Sequence, residues 1–247
     1  MERKKLKKLV VRKFLALTAL LLTFSLIGIP SASAEVSVEE KSLALLSSVF
    51  NLDLSKYQII HNGTSNGYTS AFGPNAKQVV VDYTLISGES RKLANIVFVN
   101  SDLWFCNLDT LNGKQALSNS SASGVTESAK NAISAYQNYA SQYSSKQVSH
   151  ISLMSNMLNT AYESKLTSLI EGNIKLNITS KSDLYNNITR QTISWFYSEN
   201  NFDVPRKSIT FEYTNGLLNS ISDTWNLFSI GSYKYISKEE ALDLAWV

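Results

Sequence analysis

Apolar and polar residues alternate with period two along several stretches of this chain, and the alternation stops at Asn-Gly or Asn-Ser. That pattern predicts antiparallel hairpins. The clearest case is Arg206-Lys-Ser-Ile-Thr-Phe-Glu-Tyr-Thr-Asn-Gly-Leu-Leu218. An earlier stretch, Arg91-Lys-Leu-Ala-Asn-Ile-Val-Phe-Val-Asn-Ser-Asp-Leu103, follows the same plan. Ile96, Phe98, Asn100 and Leu103 fall on Phe211, Tyr213, Asn215 and Leu218 at a constant offset, 206 − 91 = 115 residues. Each copy predicts a strand, a tight turn and a second strand. The Arg-Lys pair opening each copy is expected at a solvated strand end, with a binding signature as the alternative.

The pattern extends on both sides. Tyr57–Asn62 predicts a short strand, Gly63–Pro74 a loop carrying Tyr68 and Phe72, and Gln78–Ile86 a strong strand that turns at Ser87–Ser90 into the first hairpin. In the second half, Gly172–Ile178 and Thr192–Tyr197 predict strands, Ser198–Pro205 a longer turn, and 222–230 a closing strand. Ile174 stands 115 residues after Ile59. Pro205 cannot donate to a ladder and is expected at a strand start or edge. Helical spacing takes over elsewhere. Ser37 and Glu40 form a capping box ahead of Leu43, Leu46, Val49 and Phe50. Val125, Ala129, Ile133, Tyr136, Ala140 and Tyr143 make one helical stripe, and Ile151, Met154, Met157, Leu158, Ala161 and Tyr162 a second. That second face reads as core, with the lining of an apolar ligand pocket as the alternative.

The expected architecture is therefore α+β, with two repeated units in which a helix or helix pair packs on an antiparallel meander. The units span 35–111 and 125–235, joined by a polar linker at 112–124. A capping box recurs at Ser237 and Glu240, so 236–247 predicts either a C-terminal helix or the start of a third unit.

Composition changes this picture at the front end. Residues 1–34 combine seven bases, the apolar run Phe14–Ile29, Pro30 and the small-residue site Ala32-Ser33-Ala34, which predicts a secretory signal cleaved before Glu35, with an uncleaved membrane anchor as the alternative. The whole chain carries 23 Lys+Arg and 20 Asp+Glu, net +3. Removing the signal's seven bases and one acid leaves 16 against 19, net −3. The basicity belongs to the export signal, so the mature chain carries no electrostatic footprint for nucleic acid. Membrane contact is expected only through the signal before cleavage. A secreted or cell-surface location follows.

With 44% hydrophobic and 11% aromatic residues there is ample material for a packed core. The single cysteine, Cys106, excludes an internal disulfide and stands 115 residues before Ile221, so it reads as a buried apolar residue. Four sequons mark candidate glycosylation sites at Asn62, Asn119, Asn177 and Asn187. Asn177 lies inside an expected strand and would have to face solvent.

Chemistry-bearing motifs are scarce. The two histidines, His61 and His150, are far apart, and no His-x-x-x-His or Cys-x-x-Cys spacing supports a transition-metal site. There is no Gly-x-Ser-x-Gly elbow and no phosphate-cradling glycine loop. Glu39-Glu40 and Glu239-Glu240 sit in first helical turns, where their charge complements the helix dipole. Asp203 and Asp223 look isolated. No catalytic, cofactor or metal residue is expected.

The segment Ile236-Ser-Lys-Glu-Glu-Ala-Leu-Asp-Leu-Ala245 resembles the opening helix of PepSY domains, exported α+β modules with a helix on an antiparallel sheet. More broadly, "VSVEEKSLALLSSVFNLDLSKY", "SDTWNLFSIG" and "ISKEEALDLA" resemble secreted archaeal proteins of unknown function. The resemblance implies a PepSY- or cystatin-like helix-plus-sheet unit, associated with inhibiting or chaperoning peptidases or with the cell surface, and it brings no catalytic residue. The leading expectation is an exported non-enzymatic module that binds a peptide or protein partner or serves as an envelope component. Two alternatives stand beside it. One is an extracellular enzyme of hydrolase type, with its site in the 63–74 loop or between the units. The other is a carrier of a small apolar ligand on the Met154, Met157 and Tyr162 face.

Overall fold

The computed structural model describes residues 36–229 apart from 116, 118–124, 147, 184, 186–187 and 201. The expected signal segment, most of the expected linker, the 236–247 helix, and Asn119 and Asn187 lie outside the described residues.

Helix α1 (Val38–Ser48) is followed by strands β1 (Gln58–Thr69), β2 (Ala76–Ser87), β3 (Ser90–Val99) and β4 (Asp102–Asn112). Helices α2 (Val125–Tyr143) and α3 (Ser149–Glu163) come next. The chain then returns as β5 (Ser168–Glu171), β6 (Ile174–Asp183), β7 (Ile188–Glu199), β8 (Phe202–Thr214) and β9 (Leu217–Asp223). All nine strands form one antiparallel sheet in the order β1-β2-β3-β4-β9-β8-β7-β6-β5. The fold is α+β, with the three helices on one face of the sheet.

The alternation seen in the sequence makes that one-sided packing possible. Val81, Tyr83 and Leu85 on β2, Ile96 and Phe98 on β3, and Ile209, Phe211 and Tyr213 on β8 all point into a single core cluster. The same cluster takes in Leu45 and Leu46 of α1, Ile133 and Tyr136 of α2, and Met154, Met157 and Leu158 of α3. Residues between them, such as Asn95, Ser194, Thr210 and Ser222, face the other way. Ser37 caps α1 as expected, its Oγ accepting the Glu40 N–H at 3.1 Å.

Both Asn hairpins are present, and they share their details. Asn100 and Ser101 have φ of 51° and 71°, and Asn215 and Gly216 have 50° and 81°. Two successive left-handed residues make the turn whose twist matches a hairpin. Asn100 clamps the strand beside it, donating its N–H to Lys77 O at 2.9 Å and accepting the Lys77 N–H on Oδ1 at 3.0 Å. Asn215 does the same to Thr189, at 2.8 Å and 2.8 Å. Each hairpin then carries an extra residue just after its turn, Trp104 opposite the Val97/Phe98 step and Asn219 opposite Glu212/Tyr213. At the centre of the sheet β4 meets β9 through three facing pairs, and Cys106 stands opposite Ile221.

Four expectations are corrected. Most of the expected 63–74 loop is strand: Gly63–Thr69 continue β1 and pair with 76–82 of β2. The valines of β2 present a ready ladder, and that partner overrides a Gly- and Asn-rich composition. The second half opens with an unexpected strand, β5, and Gly172 is a turn residue at φ 58°. The Ser198–Pro205 turn contracts to a tight reversal between Glu199 and Phe202. Its extra length becomes a bulge, where Tyr197 faces Val204 but Phe196 faces Ser208, leaving Pro205, Arg206 and Lys207 outside the β7 ladder. Pro205 therefore sits inside an interior strand, at the one place where a missing N–H costs no ladder bond. Finally, the lysines of the Arg-Lys pairs are not solvated. Lys92 is fully buried, donating to Thr110 Oγ1 at 2.7 Å, and Lys207 is half-buried; only Arg91 and Arg206 are exposed.

Candidate functional site

Three groups of side chains bring chemistry together. The first involves His61, whose Nε2 lies 2.9 Å from Thr64 Oγ1, while Thr64 Oγ1 donates to Glu39 Oε1 at 3.1 Å. The glutamate carboxyl is held below its usual range, chiefly by a backbone hydrogen bond, with Thr64 and His61 adding to it. A nucleophile–base relay would place the imidazole between hydroxyl and carboxylate. Here the hydroxyl lies in the middle, which ties the α1 N-terminus to β1 and leaves the histidine without an acid to orient it.

The second group lies between the sheet and α2. Asp102, at the start of β4, accepts from Ser144 Oγ, the Ser145 N–H and Ser145 Oγ at 2.9, 2.9 and 3.0 Å. Asp223, at the end of β9, accepts the Tyr136 hydroxyl at 2.5 Å and the Trp225 N–H at 2.9 Å. Asp223 thus has partners, correcting its expected isolation; so does Asp203, paired with Lys175 at 2.7 Å. Burial pushes Asp223 up to about 6, against the opposing pull of its hydrogen bonds. The two aspartates line a cavity of only about 20 Å³. That holds about one water and no substrate. His150 is close by, stacked on Trp225 at 5.2 Å with Nε2 buried and unpartnered, and burial together with Lys207 pushes it down to about 4.

The third group opens on the face of the sheet that carries no described helix. The β8 bulge turns Lys207 inward, where Nζ donates to Trp225 O at 2.6 Å and Phe228 O at 2.8 Å. Thr224 is bound to Ser208 through backbone and side chain. The closing strand expected over 222–230 ends at Asp223, and these bonds hold the 224–228 turn that follows it against the sheet and set Phe228 5.1 Å from Phe72. Phe72, from the short helical turn after β1, in turn stands edge-on to Trp104 at 4.9 Å and 79°. Together with Arg206, Ser222 and Thr224 the rings line a groove of about 480 Å³. That size lies within the range of small-ligand sites.

The remaining candidates are structural. Cys106 is fully buried and its thiol is pushed up by burial, so it is inert. Met154 and Met157 are fully buried in the core, and Tyr162 donates to Gln191 Oε1 at 3.2 Å. The apolar face proposed for a carrier is packed rather than open. Of the described sequons, Asn62 is exposed at a bulge in β1, its Nδ2 donating to Thr84 Oγ1 at 3.0 Å. Asn177 lies half-buried on the outward side of β6, between the buried Leu176 and Ile178.

Of the groove residues, Phe72 and the Arg206 pair were visible in the sequence as features without a role, whereas Trp104 and Phe228 carried no signal beyond being aromatic. The rings come from segments far apart in the chain, so no local motif joins them.

No protein-family model matches the chain, and no curated protein matches it. Among solved structures it is similar to the Bacillus megaterium YpeB C-terminal domain, at 13% identity over 85% of this chain and 74% of that one, with a TM-score of 0.36. A likeness of that degree assigns neither family nor activity.

Proposed function

We propose that this chain is an exported, non-enzymatic module that binds a peptide or protein partner on the face of its sheet that carries no described helix, at the cell surface or in the envelope. The observation that carries the reading is the groove of Phe72, Trp104 and Phe228, which stands beside the polar row Ser222, Thr210, Ser194 and Asn177 on the outward side of the sheet. An antiparallel sheet covered on one side can leave its other face solvated and accessible. The expected signal segment supports export, and the positions of Asn62 and Asn177 support their use as glycosylation sites in a host that has the machinery. The shared turns, clamps and bulges at an offset of 115 residues support two repeated helix-plus-meander units with the PepSY-like plan. The units are joined edge to edge at Cys106 and Ile221 into one sheet.

The test is selection of a random dodecapeptide library on the immobilised mature chain, followed by photo-cross-linking of an enriched peptide. Saturable binding with cross-links at Ser208, Ser222 or neighbouring outward residues is expected. Failure to enrich any peptide on folded protein, or cross-links confined to α2 and α3, would overturn it.

A further inference from the structure

We propose that the groove takes a peptide segment that sets an acidic side chain beside an aromatic or large aliphatic one, with Arg206 binding the carboxylate and the rings of Phe72, Trp104 and Phe228 receiving the apolar side chain. This rests on the peptide-binding reading above and names the ligand class for it.

Arg206 carries the argument. It is exposed, and it makes no hydrogen bond or ion pair with any described residue. It stands at the middle of the three-residue bulge, where it faces no residue of β7 or β9. The bulge separates two cations of adjacent sequence: Lys207 is drawn inward and bound by two carbonyls, while Arg206 is left at the groove's rim. A planar guanidinium with no partner among the described residues is suited to a carboxylate, which it can bind through two parallel hydrogen bonds. The mature chain is net acidic, 16 bases against 19 acids, so this cation is a local feature and not part of a general basic field.

The shape favours a side chain over a flat sugar ring. Phe72 stands edge-on to Trp104 at 79° and in contact with it, so the two rings meet in a corner and not in a flat platform. The Ser222 hydroxyl lines the groove and makes no hydrogen bond with any described residue, which leaves a polar group for a peptide backbone. The volume of about 480 Å³ suits a short stretch of peptide.

Comparison of the hairpins sharpens the point. Arg91 occupies the equivalent position in the first hairpin, but there the ladder to the preceding strand is regular: Arg91 faces Ile86 and Lys92 faces Leu85, and the irregularity at this pair is a single extra residue, Leu111, on β4. The three-residue bulge against the preceding strand, the displaced arginine and the tethered 224–228 turn mark the second hairpin. The groove joins the departure of the second hairpin to Trp104, the extra residue after the turn of the first.

The experiment titrates the mature protein into a fluorescein-labelled, end-blocked peptide Ser-Asp-Phe-Glu-Ser and its Asn/Gln isostere, with a neutral oligosaccharide as a third probe. Wild type should bind the acidic peptide at least about ten-fold more tightly than the isostere, the discrimination expected of one charge-assisted pair. Arg206→Gln should abolish that preference, weakening the acidic peptide far more than the isostere, and Trp104→Ala should weaken both peptides, with circular dichroism confirming each fold. Peptide binding that survives both substitutions overturns the groove while leaving peptide binding itself in place. No peptide binding by folded wild type overturns both readings. Preference for the oligosaccharide overturns the peptide assignment.

Discussion

Asp223 and His150 lie in one buried neighbourhood and have opposite proton linkage. Burial holds Asp223 up at about 6, so between the ordinary carboxylate value near 4 and that point the folded chain keeps a proton the unfolded chain has released. The stability tied to this group is present at low pH and is lost as pH rises through about 6. His150, held down at about 4 by burial and by Lys207, stays neutral where the unfolded imidazole is charged. Its stability is present above about 6.5 and is lost as pH falls toward 4. Between pH 4 and 6 the two slopes oppose each other. Other groups in contact range are Tyr136 and Tyr139 on α2, Asp102 on β4 and Lys207 on β8; only the lysine among them is cationic. Urea denaturation across this window should be nearly flat for wild type as far as these two groups are concerned. Asp223→Asn should lose stability on acidification, and His150→Phe should lose it as pH rises, each by on the order of 1–3 kcal/mol. Profiles that do not diverge between the variants would refute the linkage.

At the scale of the element, the two hairpins test how far backbone conformation is encoded locally. Gly216 holds φ at 81°, and its counterpart in the first hairpin is Ser101 at 71°. Serine is strained there and glycine is not. Ser101→Gly should stabilise the chain by about 0.5–1 kcal/mol, and Gly216→Ser should destabilise it by a similar amount. A Cβ at Gly216 would meet only Val125 Cγ2 at 3.8 Å, an ordinary contact, so the cost is conformational. Equal signs in chemical denaturation would disprove it. These hairpins were legible because period-two alternation and an Asn turn are local signals. The 205–207 bulge was not. A long turn and a short turn followed by a bulge use the same residues, and what decides is whether Lys207 finds the carbonyls of Trp225 and Phe228, some twenty positions on. The continuation of β1 through Gly63–Thr69 was hidden for the same reason, since its ladder partner lies on β2. The aromatic groove depends on both of those long-range outcomes. A sequence read locally could place its residues on strands and turns but could not bring them together.

At the scale of the molecule, the question is whether two halves with matching hairpins behave as two folding units or as one. Only three residue pairs join β4 to β9, which by itself would be a weak seam. The core argues the other way. It runs unbroken from Leu45 and Leu85 through Cys106, Ile133 and Tyr136 to Trp195 and Phe211, so opening one half strips apolar cover from the other. The single cysteine supplies a probe at the seam, fully buried opposite Ile221. In a Trp104→Phe background the described tryptophans, Trp195 and Trp225, report from the second half. Leu85→Ala deletes a fully buried side chain of the first half and should cost about 2–5 kcal/mol. If the sheet unfolds as one unit, that substitution shifts Cys106 thiol labelling and tryptophan fluorescence to lower urea by the same amount. If the halves are independent, Cys106 labelling moves and the tryptophan transition stays where it was. We expect the common shift, because no helix layer separates the halves and α2 packs across both.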